Sequence, residues 1–377
     1  MPLFPHLDPS TYLVPVELRD RLLSPSTIVW LDRVRRNVAR IVEALDGDPS
    51  RWRPHVKTTK LPAVWRELVG AGVSHFKCAT TREARHLLLT LEEAGVEGDV
   101  LLSHPLVGPN LGALGKLASS FPRSQVSVLV EDPELAQQVP SHLGLFVDVN
   151  PGMDRTGIPA SRSHQILEVA RAAGTRLRGL HYYDGHHHQS DPDERTAAIQ
   201  AAWQPVESLI HRLESADLPV PELLCGGTPS FPVYAKFENP RIRLSPGTCT
   251  LHDVGYGRKC PDLVFDVAAA VATRVVSNAV PGQLTLDVGH KAIAADPPAD
   301  FRAVLPDLPD AEAIIHNEEH LTVTTEHAVK YAPGDLLFAF PVHICPTVAL
   351  HESAIVIKDE VETDRWMIAR HRILRDV

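Results

Sequence analysis

Two short stretches of this 377-residue chain gather side chains able to do covalent or metal chemistry. The first is Arg53-Pro54-His55-Val56-Lys57-Thr58-Thr59-Lys60, which follows directly from a strand-like run. At the C-terminal end of a barrel strand a lysine faces the active-site mouth. Partial desolvation and neighbouring cations there favour the neutral amine, the form that makes a Schiff base with an aldehyde cofactor. Taken alone, Lys57 and Lys60 read as the start of a helix on a solvated face. The second stretch is His343-Ile344-Cys345, after the apolar run 336–340. Residues i and i+2 of an extended segment project to one side, bringing an imidazole and a thiolate together. That borderline-soft pair suits zinc better than magnesium or manganese and leaves coordination positions open for water and substrate. Taken alone, the pair reads as a buried cysteine beside a satisfied histidine.

Three further segments could form an anion or ring pocket. Asp148-Val149-Asn150-Pro151-Gly152-Met153-Asp154-Arg155 closes a strand-like run with a cation, Arg155, where a surface salt bridge is the plain alternative. Cys225-Gly226-Gly227-Thr228-Pro229-Ser230 and Pro246-Gly247-Thr248-Cys249 are glycine-containing strand ends. Glycine lets backbone N–H groups approach an anion closely, threonine adds a donor, and barrels often hold phosphate at their last two βα loops. In Gly179-Leu180-His181-Tyr182-Tyr183-Asp184-Gly185-His186 the alternation puts His181 and Tyr183 on one side. His186, His187 and His188 are consecutive, so they do not converge on one ion, and a solvated loop is expected for His187 and His188.

The elements that must position these groups alternate along the first two-thirds of the chain. Short apolar runs at 27–31, 52–56, 73–78, 99–102, 125–130, 143–149, 177–182 and 222–225 are separated by amphipathic stretches such as 82–91, 161–173 and 194–214. Fully apolar strands between amphipathic helices indicate parallel βα units covered on both faces. About eight of them fit a (β/α)8 TIM-type barrel, with an open doubly wound sheet as the competing arrangement. No G-x-G-x-x-G or P-loop pattern opens a helix. From about Arg241 the texture becomes β-rich, with strands expected at 264–276, 283–288, 320–324, 336–340 and 354–358 and Pro-Gly pairs between. The expected domains are a barrel over 26–249 and a predominantly β domain from 1–25 with 250–377, carrying the metal pair.

Bulk properties narrow the classes. A net charge of −10 disfavours nucleic acid and anionic membrane as partners. No apolar run approaches the length of a membrane span. The opening Met1-Pro2-Leu3-Phe4-Pro5-His6 lacks the basic and apolar regions of a secretory signal, which fits the cytoplasm. Five cysteines without a C-x-x-C pair argue for reduced thiols rather than a disulfide framework.

Together the motifs resemble those of the fold-type III pyridoxal-phosphate enzymes, specifically the D-serine dehydratase and D-threonine aldolase family with its alanine racemase-like barrel. That family carries R-P-H-x-K-T/A-H-K, matched by Arg53, Pro54, His55, Lys57, Thr58 and Lys60, with Thr59 in place of the usual histidine. The segment 152–157 is similar to its G-M-x-R-x-G, 226–229 to its G-[GS]-T-P and 246–248 to its R-P-G-T. The arginine of the last motif is replaced here by Ser245, though Arg241 and Arg243 lie nearby. The resemblance runs over nearly the whole chain. It implies that Lys57 holds pyridoxal 5'-phosphate, that His55, Arg155, His181 and Tyr183 line its pocket, and that Gly227, Thr228, Gly247, Thr248 and Cys249 hold its phosphate. His343 and Cys345 are similar to the family's C-terminal H-x-C or H-x-D pair. The dehydratases use H-x-C with zinc; the aldolases use H-x-D with a harder ion such as Mn2+ or Mg2+. His316-Asn317-Glu318-Glu319-His320 resembles the family's E-E-H segment and is expected to support rather than ligate.

The implied activity is dehydration and deamination of a small D-3-hydroxy amino acid to a 2-keto acid and ammonia. Aldol cleavage of D-threonine or D-3-hydroxyaspartate is the alternative. A racemase would leave the metal pair without a task, and non-catalytic pyridoxal-phosphate proteins on this fold are a barrel alone. A sugar-processing barrel would need a carboxylate pair, for which Asp148 and Asp184 are the only candidates at strand ends. By analogy with the fold type a homodimer is expected.

Overall fold

The computed structural model describes residues 7–371. The first six residues, read above as lacking a signal, lie outside them. The described chain divides into two compact units, one of residues 41–57 and 65–247, the other of residues 7–40, 58–64 and 248–370.

In the first unit the strands His75–Cys78, Asp99–Pro105, Gln125–Val130, Gly144–Asn150, Leu177–Tyr182, Glu222–Cys225 and Ile242–Leu244 pair in parallel in that order. The segment 52–55 closes the circle, Trp52 bridging Leu244 and His55 bridging Lys77. The result is the expected parallel barrel. Its strands are buried nearly throughout, which only a sheet covered on both faces permits. Helices start where the sequence supplies caps. Thr80 accepts from Glu83 N–H at 3.1 Å while the Glu83 carboxylate accepts from Ala79 N–H at 2.6 Å, a reciprocal capping box for Thr81–Glu93. Asp132 and Asp191 cap Pro133–Gln138 and Pro192–Glu214 with their own carboxylates, accepting first-turn N–H groups.

The two ends of this barrel differ. At the N-terminal ends of the strands the Arg53 guanidinium is fully buried, 2.9 Å from Asp99 Oδ1 and 3.0 Å from Glu222 Oε2. Arg178 reaches Asp99 at 2.7 Å and Arg243 reaches Glu222 at 3.0 Å. The first residue of the motif therefore closes the barrel floor, while Lys57, four residues on, emerges at the opposite end. Arg53→Met leaves Asp99 and Glu222 buried with a poorer set of partners. The expected loss is about 3–5 kcal/mol of unfolding free energy, read from denaturant titration; a loss under about 1 kcal/mol would show that the remaining arginines suffice.

The second unit is built on a nine-stranded sheet. Its main path runs Glu312–His316, Leu321–Thr324, Gln283–Leu286, Ala269–Ser277, Ser26–Trp30, Ser353–Lys358, Val361–Met367, and Leu336–Pro341 pairs with Ala269–Ser277. This is the expected mostly β region. The strand Ser26–Trp30, which the apolar pattern puts at the start of the barrel, pairs instead antiparallel with Ala269–Ser277 and parallel with Ser353–Lys358. An aromatic group of Tyr12, Trp30, Phe338 and Phe340 packs edge-on and stacked at its core. Trp30 is buried in that group, so this sheet supplies the burial that the apolar run records.

Candidate active site

In the barrel unit the chain leaves the closing segment through His55. Its Nδ1 accepts the Lys57 backbone N–H at 3.3 Å, and its Nε2 lies 3.0 Å from Ser103 Oγ, which donates to Cys78 O at 3.2 Å. With Nδ1 accepting, the hydrogen falls on Nε2, so the ring is neutral and fixed between strands. His55 thus anchors the backbone from which Lys57 projects. Gly247 packs against the same point: a Cβ there would lie 2.3 Å from His55 O, so no other residue fits.

Lys57 Nζ lies 6.0 Å from the ring centroid of Tyr183, and Arg155 Cζ lies 5.3 Å from the same centroid. A third cation, Lys77 Nζ, is 5.4 Å away. Tyr182, between the two residues assigned to the pocket, points outward, its hydroxyl donating to Ala202 O at 2.8 Å. His181 points inward, where Nδ1 is 2.7 Å from Asp148 Oδ1 and Nε2 is 2.8 Å from Lys77 Nζ. Strand register explains the first contact, since Asp148 and His181 are direct neighbours across the sheet. Asp148 Oδ2 also accepts from Thr156 Oγ1 at 2.8 Å. Burial alone would raise the Asp148 carboxyl, but His181, Thr156 and Lys77 hold it below its ordinary value. Lys77 is the residue that sequence reasoning passed over. A single lysine within the run His75-Phe76-Lys77-Cys78 was its only signal.

The two glycine segments differ from each other. The Gly227 N–H donates to Ser230 Oγ at 2.9 Å, and Ser230 Oγ donates to Asp184 Oδ1 at 2.7 Å. Its amide is thus occupied within the turn, while Thr228 is buried beside it. In the other segment Thr248 belongs to the second unit, at the head of the 3-10 turn Thr248–Thr250 that also buries Cys249. His187 is buried with its ring centroid 4.0 Å from that of His186, not in a solvated loop, because the Asp184–His187 turn folds it inward; His188 is exposed.

In the second unit the segment 341–346 is not extended as expected. His343 is the N-cap of the helix Ile344–Leu350, so Cys345 stands in a first helical turn. The buried Asp253 carboxylate causes this by accepting the Ile344 N–H at 3.0 Å. Cys345 nonetheless lies close enough to His343 to act on its imidazole. Thr58 Oγ1 lies 3.1 Å from Cys345 Sγ, and Thr248 Oγ1 lies 3.6 Å from it. His343 Nδ1 is 2.5 Å from Asp296 Oδ2, which turns Nε2 away from the carboxylate. Burial works to lower the His343 imidazole, but Cys345 and Asp296 raise it to about 9. Among the described residues no group of three or more His, Cys, Asp or Glu side chains is arranged to hold a metal. The segment 316–320 holds structure: His316 Nε2 is 3.2 Å from Val288 O, and Glu319 pairs with Lys291 at 2.8 Å.

Comparison with known proteins decides the family. Residues 29–248, more than half of the chain, match the alanine racemase N-terminal domain, and residues 268–357 match a putative serine dehydratase domain. The chain belongs to the alanine racemase-like, fold-type III family. Its relatives include D-threonine aldolase of Arthrobacter sp., 28% identical over 93% of both chains. They also include D-threo-3-hydroxyaspartate dehydratase of Delftia sp. strain HT23, 25% identical over 74% of this chain and 75% of that one. The solved structure of D-threonine aldolase from Filomicrobium marinum superposes with a TM-score of 0.82 at 27% identity, covering 94% of this chain and 96% of the other. Members of the fold-type III family use pyridoxal phosphate, and the residues here fit such a group. A lysine amine, an aromatic face and a cation converge at the strand ends, and Gly247 leaves no side chain where backbone meets backbone.

Proposed function

We propose that this fold-type III chain is a pyridoxal-phosphate- and zinc-dependent lyase that removes water and ammonia from a small D-3-hydroxy amino acid, leaving a 2-keto acid. The observation carrying the reading is the meeting of His343 with Cys345, a soft donor pair, in a chain whose barrel presents the Lys57 amine beside Tyr183. In the proposal Lys57 holds the cofactor, Arg155, His181 and Tyr183 line its pocket, and Thr228 and Gly247 lie on the side of its phosphate. His55 orients Lys57 through the backbone. Pyridoxal phosphate supplies an electron sink at Cα when bound, and zinc supplies a Lewis acid for a β-hydroxyl. What the chain itself contributes is the Lys57 amine as base for the α-proton and buried cations to balance substrate charge.

The second reading is aldol cleavage to glycine and an aldehyde, favoured by the 28% identity to a D-threonine aldolase over 93% of the chain. For the dehydratase relative, a cysteine-to-alanine variant has been solved in a metal-free form, which supports thiolate ligation by analogy. A product assay on purified protein with pyridoxal phosphate and zinc decides between them, using D-serine, D-threonine and D-3-hydroxyaspartate. Keto acid with ammonia supports elimination; glycine with an aldehyde replaces it with aldol cleavage; neither product from any substrate sinks the substrate class. No helix among the described residues is long and apolar enough to cross a membrane, and we propose a cytoplasmic homodimer.

Asp296 has a defined part in this reading. A carboxylate on the far nitrogen of a ligating imidazole fixes the ring and raises its basicity. Asp296→Asn keeps the shape and removes the charge, so zinc affinity should fall about 10- to 100-fold in competition with a chromophoric chelator. Unchanged affinity would remove Asp296 from the site.

A further inference from the structure

Lys77 has a surrounding that a purely structural lysine does not need. It is 2% exposed, inside the barrel, where an apolar side chain would pack without desolvating a charge. Its Nζ contacts His181 Nε2 at 2.8 Å, and His181 Nδ1 contacts Asp148 Oδ1 at 2.7 Å. An ionised carboxylate only accepts, so Nδ1 carries a hydrogen and Nε2 is left as the acceptor for Lys77. The three groups form a line along which one proton can be held without moving a heavy atom. The other charged and titratable groups about Lys77 come from every neighbouring strand. They are Arg53, Lys57, Arg155, Tyr183, the Cys225 thiol and His55, which bridges to Lys77 across the sheet. Asp148 is the anion among them.

The second observation is the shared ring. Lys57 Nζ and Lys77 Nζ stand 6.0 and 5.4 Å from one Tyr183 centroid, so two amines border the same pocket. An amine adds to an aldehyde only when neutral, and close cations decide which of two amines keeps its proton.

We propose that Lys77, His181 and Asp148 form a buried proton relay that receives the proton of the Lys57 amine as the site takes up pyridoxal phosphate, making Lys77 a positioning residue for the charge state of Lys57. The inference rests on the reading that Lys57 carries the cofactor. Lys57 Nζ loses one proton and Lys77 Nζ gains one. The electron pair so freed bonds to the aldehyde carbon, and the two remaining amine hydrogens leave with the carbonyl oxygen as water. Asp148 balances the charge then held on Lys77. Burial first, then the charge of Lys57, brings Lys77 down to about 7, which makes it a proton acceptor at neutral pH. Burial and the Lys77 charge bring His181 down to about 4, so the proton rests on the amine and the imidazole serves to fix it.

Two measurements on the full-length chain test this. In cofactor-free protein with labelled lysine, the Lys77 resonance should titrate near pH 7 and move up by about one unit when Lys57→Met removes the neighbouring charge. Titration in the ordinary lysine range, or no response to Lys57→Met, overturns the relay. In the second, uptake of pyridoxal phosphate is followed by absorbance across pH in wild type, Lys77→Met and Asp148→Asn. Lys77→Met should slow uptake about tenfold at pH 7 and raise the midpoint of the profile by about one unit; a profile equal to wild type overturns the proposal. Should Lys77→Met fail to fold, the titration of wild type and Lys57→Met still decides. If wild type takes up no pyridoxal phosphate at any pH, the Lys57 reading and the uptake step fall together, whereas loss of the relay alone leaves uptake intact but indifferent to Lys77.

Discussion

Lys57→Ala protein should purify colourless, fail to bind pyridoxal phosphate covalently, and lose about 10^4-fold or more in turnover. The size follows from two roles falling on one atom. Lys57 Nζ is the proposed point of attachment and the proposed base, so alanine removes both the tether and the proton acceptor. Its surroundings should survive the change. His55 contacts the Lys57 backbone, which alanine keeps, and Arg155 and Lys77 each approach the Tyr183 ring. The fold should therefore be retained, with a denaturation midpoint close to wild type. Borohydride reduction of wild type followed by peptide mapping should fix the cofactor to the peptide holding Lys57. A reduced adduct on another lysine, or unchanged colour in Lys57→Ala, would refute the assignment. An added primary amine restoring part of the activity would separate the base from the tether.

Much of the barrel is legible in the sequence because burial on both faces leaves a simple trace. The runs 125–130 and 177–182 coincide with the strands Gln125–Val130 and Leu177–Tyr182. The same trace misleads at Ser26–Trp30, whose apolar residues record burial but not which sheet provides it. Its partners lie more than two hundred residues further along the chain. The edge strands Glu312–His316 and Val361–Met367 escaped notice because they are mostly exposed, and their apolar residues make at most a three-residue run. At the site, motif residues were visible one segment at a time, whereas their partners were not. Lys77 gains its meaning from His181, 104 positions away, and His343-Ile344-Cys345 gains its helical turn from Asp253, 91 positions before Ile344. Gly227 is the converse case. Its permissive backbone suggested an anion donor, and the turn it closes uses that donor internally.

Removing the metal, or either of its proposed ligands, should stop turnover by at least about 10^3-fold while leaving bound pyridoxal phosphate in place. The separation of effects follows from the folding. His343, Cys345, Asp296, Thr58 and Thr248 belong to one compact unit, while Lys57, Arg155 and Tyr183 belong to the other. A chelator should therefore leave the cofactor absorbance unchanged as activity falls, and added zinc should restore activity. Cys345→Ser is the sharper variant. Serine retains a hydroxyl near Thr58 Oγ1 but is a harder and far less acidic ligand, so zinc affinity should drop with little change in stability. His343→Ala should do the same and also free the Asp296 carboxylate. Since a ligating imidazole must be unprotonated and His343 is raised to about 9 before metal arrives, zinc binding should release protons and weaken as pH falls below that value. Calorimetry in buffers of differing ionisation enthalpy measures that release. Full activity in metal-free protein would remove zinc from the reaction and leave the His343–Cys345 contact as a feature of the fold; activity restored by manganese but not by zinc would keep the metal and overturn its identity.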